Sequence, residues 1–84
     1  MQKLASDYAT ENIRVNSIHP GFIDTPMVAM AKGNEMEAAI LAQTPMGRWG
    51  RSDEIAAAIA FMASDAASFM TGSEVYVDGG WTAR

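Results

Sequence analysis

Eighty-four residues, 49% of them hydrophobic, suit one small folded domain and neither a disordered chain nor two separate cores. A formal charge of −4, with no cluster of Lys or Arg, argues against nucleic acid or an anionic membrane as a partner. With no cysteine and a single histidine there is no disulfide, no thiol chemistry and no zinc site, so redox chemistry would have to come from a bound cofactor.

Gln2 to Thr10 reads as a helix, with Leu4 and Tyr8 four apart and Ala5 and Ala9 on a neighbouring stripe. No Ser, Thr, Asp or Asn precedes it as a cap, so it reads as a helix entered mid-course. Its polar face is unlike a signal peptide and no apolar run is long enough to cross a bilayer, which leads us to expect a cytoplasmic protein. Glu11-Asn12 then turns the chain into a strand from Ile13 to Ile18, rich in β-branched residues. The strand is expected to stop at His19-Pro20-Gly21, where Pro lacks a ladder donor and Gly permits a sharp turn. Such a carboxyl edge is where open α/β sheets bind ligands. Asn16 on this strand is expected to tie it to a neighbouring loop, since a buried amide needs partners. His19 is the only imidazole, but no carboxylate stands in sequence to orient it, and a structural role is favoured over a general base.

From 26 to 50 the pattern weakens into two short helical pieces, Val28 to Ala31 and Glu35 to Gln43, separated by Gly33-Asn34. A long, partly ordered excursion of this kind reads as a lid. Gly47-Arg48-Trp49-Gly50-Arg51 lacks the Lys-Ser/Thr ending of a phosphate loop and reads as a connection. Ser52 is expected to cap the next helix, with Asp53 and Glu54 favourable in its first turn and Ile55, Ile59 and Met62 on one face. That helix should end near Ser64-Asp65. A last strand, Glu74 to Val77, is closed by Asp78-Gly79-Gly80. Strand, crossover helix and strand make one βαβ unit preceded by a helix.

Three pieces of this pattern, Arg14-Val15-Asn16, Pro20-Gly21-Phe22-Ile23-Asp24-Thr25 and the closing TGSEVYVDGGW of Thr71 to Trp81, resemble the C-terminal part of a short-chain dehydrogenase/reductase. The resemblance runs over essentially the whole chain. It implies an α/β fold, the C-terminal portion of a Rossmann-type doubly wound parallel sheet, in the order helix, strand, lid, helix, strand. Residues 1–84 would then be the C-terminal fragment of a single NAD(P)-binding domain, with 26–50 as its substrate lid. It further implies a cofactor site at Pro20, Gly21, Ile23 and Thr25. In the family, backbone N–H and C=O at the position of Ile23 hold the nicotinamide carboxamide of NAD or NADP, and the hydroxyl at Thr25 bonds the carboxamide or a nearby phosphate. A carboxamide needs one donor and one acceptor in fixed geometry, which backbone beyond a Pro-Gly turn can supply. Met27, Met30 and Met36, with Met46, would place adaptable thioethers over a hydrophobic carbonyl or alcohol substrate. The 52–64 helix and 74–78 strand would form a homo-oligomer contact.

The resemblance also names what these residues do not contain. There is no Gly-rich dinucleotide loop and no Tyr-x-x-x-Lys pair, since Tyr8 is followed at the fourth position by Asn12. No catalytic residue is therefore assigned. The expectation is a piece of an NAD(P)-dependent oxidoreductase interconverting an alcohol and a ketone by hydride transfer, inactive alone. The alternative is a non-catalytic association protein that uses the subunit-contact helix and edge strand.

Overall fold

The computed structural model describes all 84 residues, Met1 to Arg84. Helix α1 (Gln2–Tyr8) runs on into a 3₁₀ turn, Ala9–Glu11, and is closed by Asn12 in the left-handed conformation at φ 60°. Asn tolerates that region because its short polar side chain can bond locally. No side chain caps the amino end of α1, in keeping with the sequence.

Strand β1 covers Ser17–Pro20 and strand β2 covers Glu74–Val77. They pair in parallel, Ser17 opposite Glu74 and Pro20 opposite Val77. The first strand thus begins four residues later than the expected Ile13 and continues through Pro20 instead of stopping before it. The partner explains both shifts. Residues 13–16 lie alongside the loop that leads into β2, where Gly72 N donates to Val15 O at 2.8 Å and Val15 N donates to the Thr71 hydroxyl at 3.1 Å. A ladder becomes possible only once Glu74 is reached. Pro20 costs nothing at the final position, because the next donor, Gly21 N, makes the bond to Val77 O.

The crossover between the strands carries helix α2 (Glu35–Gln43) and helix α3 (Ser52–Ala63). A 3₁₀ stretch, Pro26–Ala31, precedes α2, and Asn34 caps that helix by accepting from Met36 N and Glu37 N. Ser52 does not cap α3: it is the first helical residue, and Arg51 holds the cap position. There the Glu54 carboxylate reaches back to Arg51 N at 2.9 Å, the return half of a capping box. The helix ends at Ala63, with a 3₁₀ turn at Asp65–Ala67.

Asn16 behaves as its residue type requires. Its amide nitrogen donates to Met70 O and its oxygen accepts from Ser73 N, both at 3.0 Å, fastening β1 to the loop before β2. Arg14 adds a second fastening, donating to Met62 O, Ser64 O and Met70 O. Its charge meets the carbonyl-rich end of α3, where a cation is favoured. No helix is long and apolar enough to cross a membrane.

Candidate cofactor and substrate site at the strand ends

Beyond β1 the chain passes through Gly21 against the end of β2. A Cβ at Gly21 would lie 2.7 Å from Asp78 Cα, so only glycine lets the two backbones come this close. Ile23 then forms an isolated parallel bridge with Gly50, made by Gly50 N to Phe22 O at 2.9 Å and Asp24 N to Gly50 O at 2.8 Å. In a parallel bridge of this kind the residue between the two bonds turns its own amide outward. Ile23 accordingly has a free N–H and a free C=O, facing away from Gly50. Two residues on, the half-buried Thr25 hydroxyl caps nothing and bonds no protein group.

A cavity of about 250 Å³ lies between these strand ends and the foot of the 26–50 excursion. Phe22, Ile23, Met46, Ile55 and Tyr76 give it an apolar lining. Arg48 and Glu54 stand at its wall in a bidentate pair at 2.9 and 3.0 Å. Arg48, followed by the Arg51 amide, draws the Glu54 carboxyl down to about 2. The turn after β2 is built on Asp78, which accepts from Gly80 N, Thr82 N and the Thr82 hydroxyl. These bonds, that of the Thr82 hydroxyl foremost, hold Asp78 below the ordinary carboxylate range. Gly79 and Gly80, at φ 63° and 96°, sit against Thr44 and Pro45, and Met46 N donates to Gly79 O at 2.9 Å. The foot of the excursion is therefore pinned to the end of β2. Its body is tied by Trp49 Nε1, which donates to Glu37 of α2 at 2.7 Å and, with Gly33 N, lowers the Glu37 pKa. Lys32 and Asp24 close the other side at 2.6 Å.

The residues singled out from sequence fall into two groups. Pro20, Gly21, Ile23 and Thr25 lie together along one continuous strand exit. Met27 and Met30 are 91% and 86% exposed and Met36 is also exposed; none of the three lines the cavity, whereas Met46 does. Phe22, Trp49, Arg48, Glu54 and Asp78 were not identified as site residues. The spacing of Arg48 and Glu54, a cation six residues ahead of a first-turn carboxylate, is the one local signal that could have found a pair among them. His19 is exposed, stacked on Tyr76 at 4.9 Å and bonded to Ser17, with no carboxylate partner.

A family model described as enoyl-(acyl carrier protein) reductase matches residues 1–82. Among curated relatives, the cis-4-hydroxycyclohexanecarboxylate dehydrogenase of Sinomonas cyclohexanicum is 51% identical over 79 residues, covering 94% of this chain and 31% of its own. The chain belongs to the short-chain dehydrogenase/reductase family. Among solved members, a short-chain type dehydrogenase/reductase from Mycobacterium ulcerans superposes with a TM-score of 0.94 at 40% identity, covering 100% of this chain and 31% of that one. A 4-hydroxyisoleucine dehydrogenase complexed with NADH gives 0.92 at 37%, covering 99% and 35%. The α/β arrangement with parallel strands is thus part of a Rossmann-type fold, and the chain spans about a third of the length of the family members it matches.

Proposed function

We propose that this chain forms the nicotinamide end of the cofactor site in an NAD(P)-dependent oxidoreductase that interconverts an alcohol and a ketone. The observation that carries the reading is the free N–H and C=O of Ile23 beside the free Thr25 hydroxyl. One donor and one acceptor on the same residue match the two needs of a carboxamide, and the rigid bridge to Gly50 holds them without reorganisation. When bound, the nicotinamide ring accepts or releases the hydride. The chain's own task is to position: Ile23 N–H donates to the carboxamide oxygen, Ile23 C=O accepts from its nitrogen, and Thr25 fixes the carboxamide or an adjacent phosphate. Residues 26–50, carrying the exposed Met27, Met30 and Met36, act as the lid over a small carbonyl or alcohol substrate. The proton that accompanies hydride transfer would come from the family's Tyr-x-x-x-Lys pair and its Ser, and no Tyr-x-x-x-Lys pattern occurs in these 84 residues, so the chain by itself should oxidise no NAD(P)H.

Joining residues 1–84 to the N-terminal two thirds of the Sinomonas dehydrogenase tests it. The fusion is expected to bind NAD(P)H, and Thr25→Val to raise the KM for cofactor about threefold to tenfold, with Thr25→Ser restoring it. A folded fusion that binds no cofactor, or is indifferent to Thr25→Val, would refute the assignment.

A second reading, a non-catalytic association protein, is favoured by the apolar surface of α3 and the turn after it. Ile59 and Phe61 are half exposed and Phe69 fully so. Such a surface fits a contact with a second copy or with a related subunit. Adding the chain in trans separates the two: restored NAD(P)H oxidation by a truncated relative supports the enzyme piece, and inhibition of an intact relative supports the association protein.

A further inference from the structure

The bridge that fixes Ile23 is gripped from behind by the Arg48–Glu54 pair. The peptide group joining Trp49 to Gly50 offers its two ends to different partners. Trp49 O accepts from the Arg48 guanidinium at 3.0 Å, and Gly50 N donates to Phe22 O at 2.9 Å. Phe22 O belongs in turn to the peptide group whose N–H is that of Ile23. The next peptide group, from Gly50 to Arg51, runs the other way. Arg51 N donates to the Glu54 carboxylate at 2.9 Å, and Gly50 O accepts from Asp24 N at 2.8 Å. The Asp24 amide shares its peptide group with Ile23 C=O. Two chains of hydrogen bonds therefore cross the bridge, each through two peptide groups. One starts at a cation and ends at the Ile23 N–H; the other starts at an anion and ends at the Ile23 C=O. The ring of Phe22, edge to face with Trp49 at 6.4 Å and 82° and with Trp81 at 5.1 Å and 72°, braces the same segment.

We propose that Arg48 and Glu54 are positioning residues for the nicotinamide carboxamide, acting through these two chains to fix and polarise the N–H and C=O of Ile23. The inference deepens the proposed function and rests on it for the ligand of Ile23. The signs agree with that task. A guanidinium donating to a peptide carbonyl draws electron density toward itself and leaves the N–H at the far end of the chain a stronger donor. A carboxylate accepting from a peptide N–H leaves the carbonyl at the far end a stronger acceptor. Each bond in such a chain polarises the next by about 10–30%. The opposite placement of the two charges would weaken both ends. Glu54 carries its charge throughout the neutral range, its carboxyl being drawn down to about 2.

The carboxamide itself provides the test, because its two halves meet the two chains separately. In the acetylpyridine analogue of the cofactor a methyl group replaces the carboxamide NH2. The carbonyl that accepts from Ile23 N–H is kept, and the donor to Ile23 C=O is lost. Dissociation constants of NADH or NADPH, whichever binds, and of the matching reduced analogue are measured by fluorescence titration on the fusion of residues 1–84 to the N-terminal two thirds of the Sinomonas dehydrogenase. Glu54→Gln is expected to weaken the cofactor about twofold to fivefold and to leave the analogue unchanged, whereas Arg48→Gln weakens both by a similar factor. A merely structural role moves both ligands together in both variants. Equal losses for the two ligands in Glu54→Gln, a loss in Arg48→Gln confined to one of them, or no loss in either variant would overturn the proposal. Should Glu54→Gln fail to fold, Glu54→Asp, which draws the charge one methylene back from the Arg51 amide, takes its place in the same comparison. The cofactor assignment is judged separately by Thr25→Val. A fusion that loses affinity there but is indifferent to the Arg48 and Glu54 variants keeps the assignment and refutes the positioning role, and a fusion that binds no cofactor refutes both.

Discussion

Gly21 and Glu54 show how single side chains set the site. At Gly21 the missing Cβ is what allows the end of β1 to approach Asp78, and the atom it would meet is backbone that cannot swing away. Gly21→Ala is expected to cost about 1–3 kcal/mol, read as a lower denaturant midpoint, with the chain pushed out of line for Ile23. At Glu54 the driver is charge. Its folded pKa of about 2 lies below the ordinary 4.5, so its contribution to stability is complete above pH 4.5 and is lost as pH falls through about 2. The thermal midpoint should drop across that window, and Arg48→Gln should flatten the drop by removing the first cause of the shift. A variant with an unchanged acid profile would show that the pair carries no linkage.

Among the elements, the crossover is held by caps and ties more than by packing. Asn34 supplies the two bonds that start α2, and Asn34→Ala should lower stability by about 1 kcal/mol while raising amide exchange in residues 35–43. Asn16 fastens β1 to the loop before β2 with both halves of its amide, so Asn16→Ala leaves the Ser73 N–H without a partner, while Met70 O keeps its bond from Arg14. About 2 kcal/mol is expected from chemical denaturation. The Asn16 tie was legible in the sequence because a half-buried amide on a strand must find donors and acceptors nearby. The strand limits were not, because whether Ile13 to Asn16 or Ser17 to Pro20 enters a ladder depends on where β2 begins opposite them. Ser52 illustrates the same limit: a good capping residue lost the position to Arg51 because Glu54 was free to close the helix from inside.

Over the whole molecule, little is closed. A compact chain of 9.0 kDa would expose roughly 4,900 Å², yet this one exposes 5866 Å², and its radius of gyration is 15.7 Å where about 12 Å would suit its length. Only Ala5, Ala31, Ala67 and Thr44 are fully buried, and no large apolar side chain is. Apolar area left open in this way is stabilised by association. In sedimentation velocity the chain should run above 9 kDa at micromolar concentration, and Phe61→Glu, on the exposed face of α3, should shift it toward the monomer. A monomer with and without the substitution would dismiss the α3 contact.

The order of helix, strand, long crossover, helix and strand, the Pro-Gly exit and the Gly-Gly close were all determined by the sequence, because periodicity and backbone permissiveness act over a few neighbouring residues. The placement of Phe22 between Trp49 and Trp81, the Arg48–Glu54 pair at the cavity wall, and the outward N–H and C=O of Ile23 were decided only by the tertiary structure. Each depends on bringing together segments far apart in the chain, and the direction in which the Ile23 amide points is set by Gly50, not by any residue beside it.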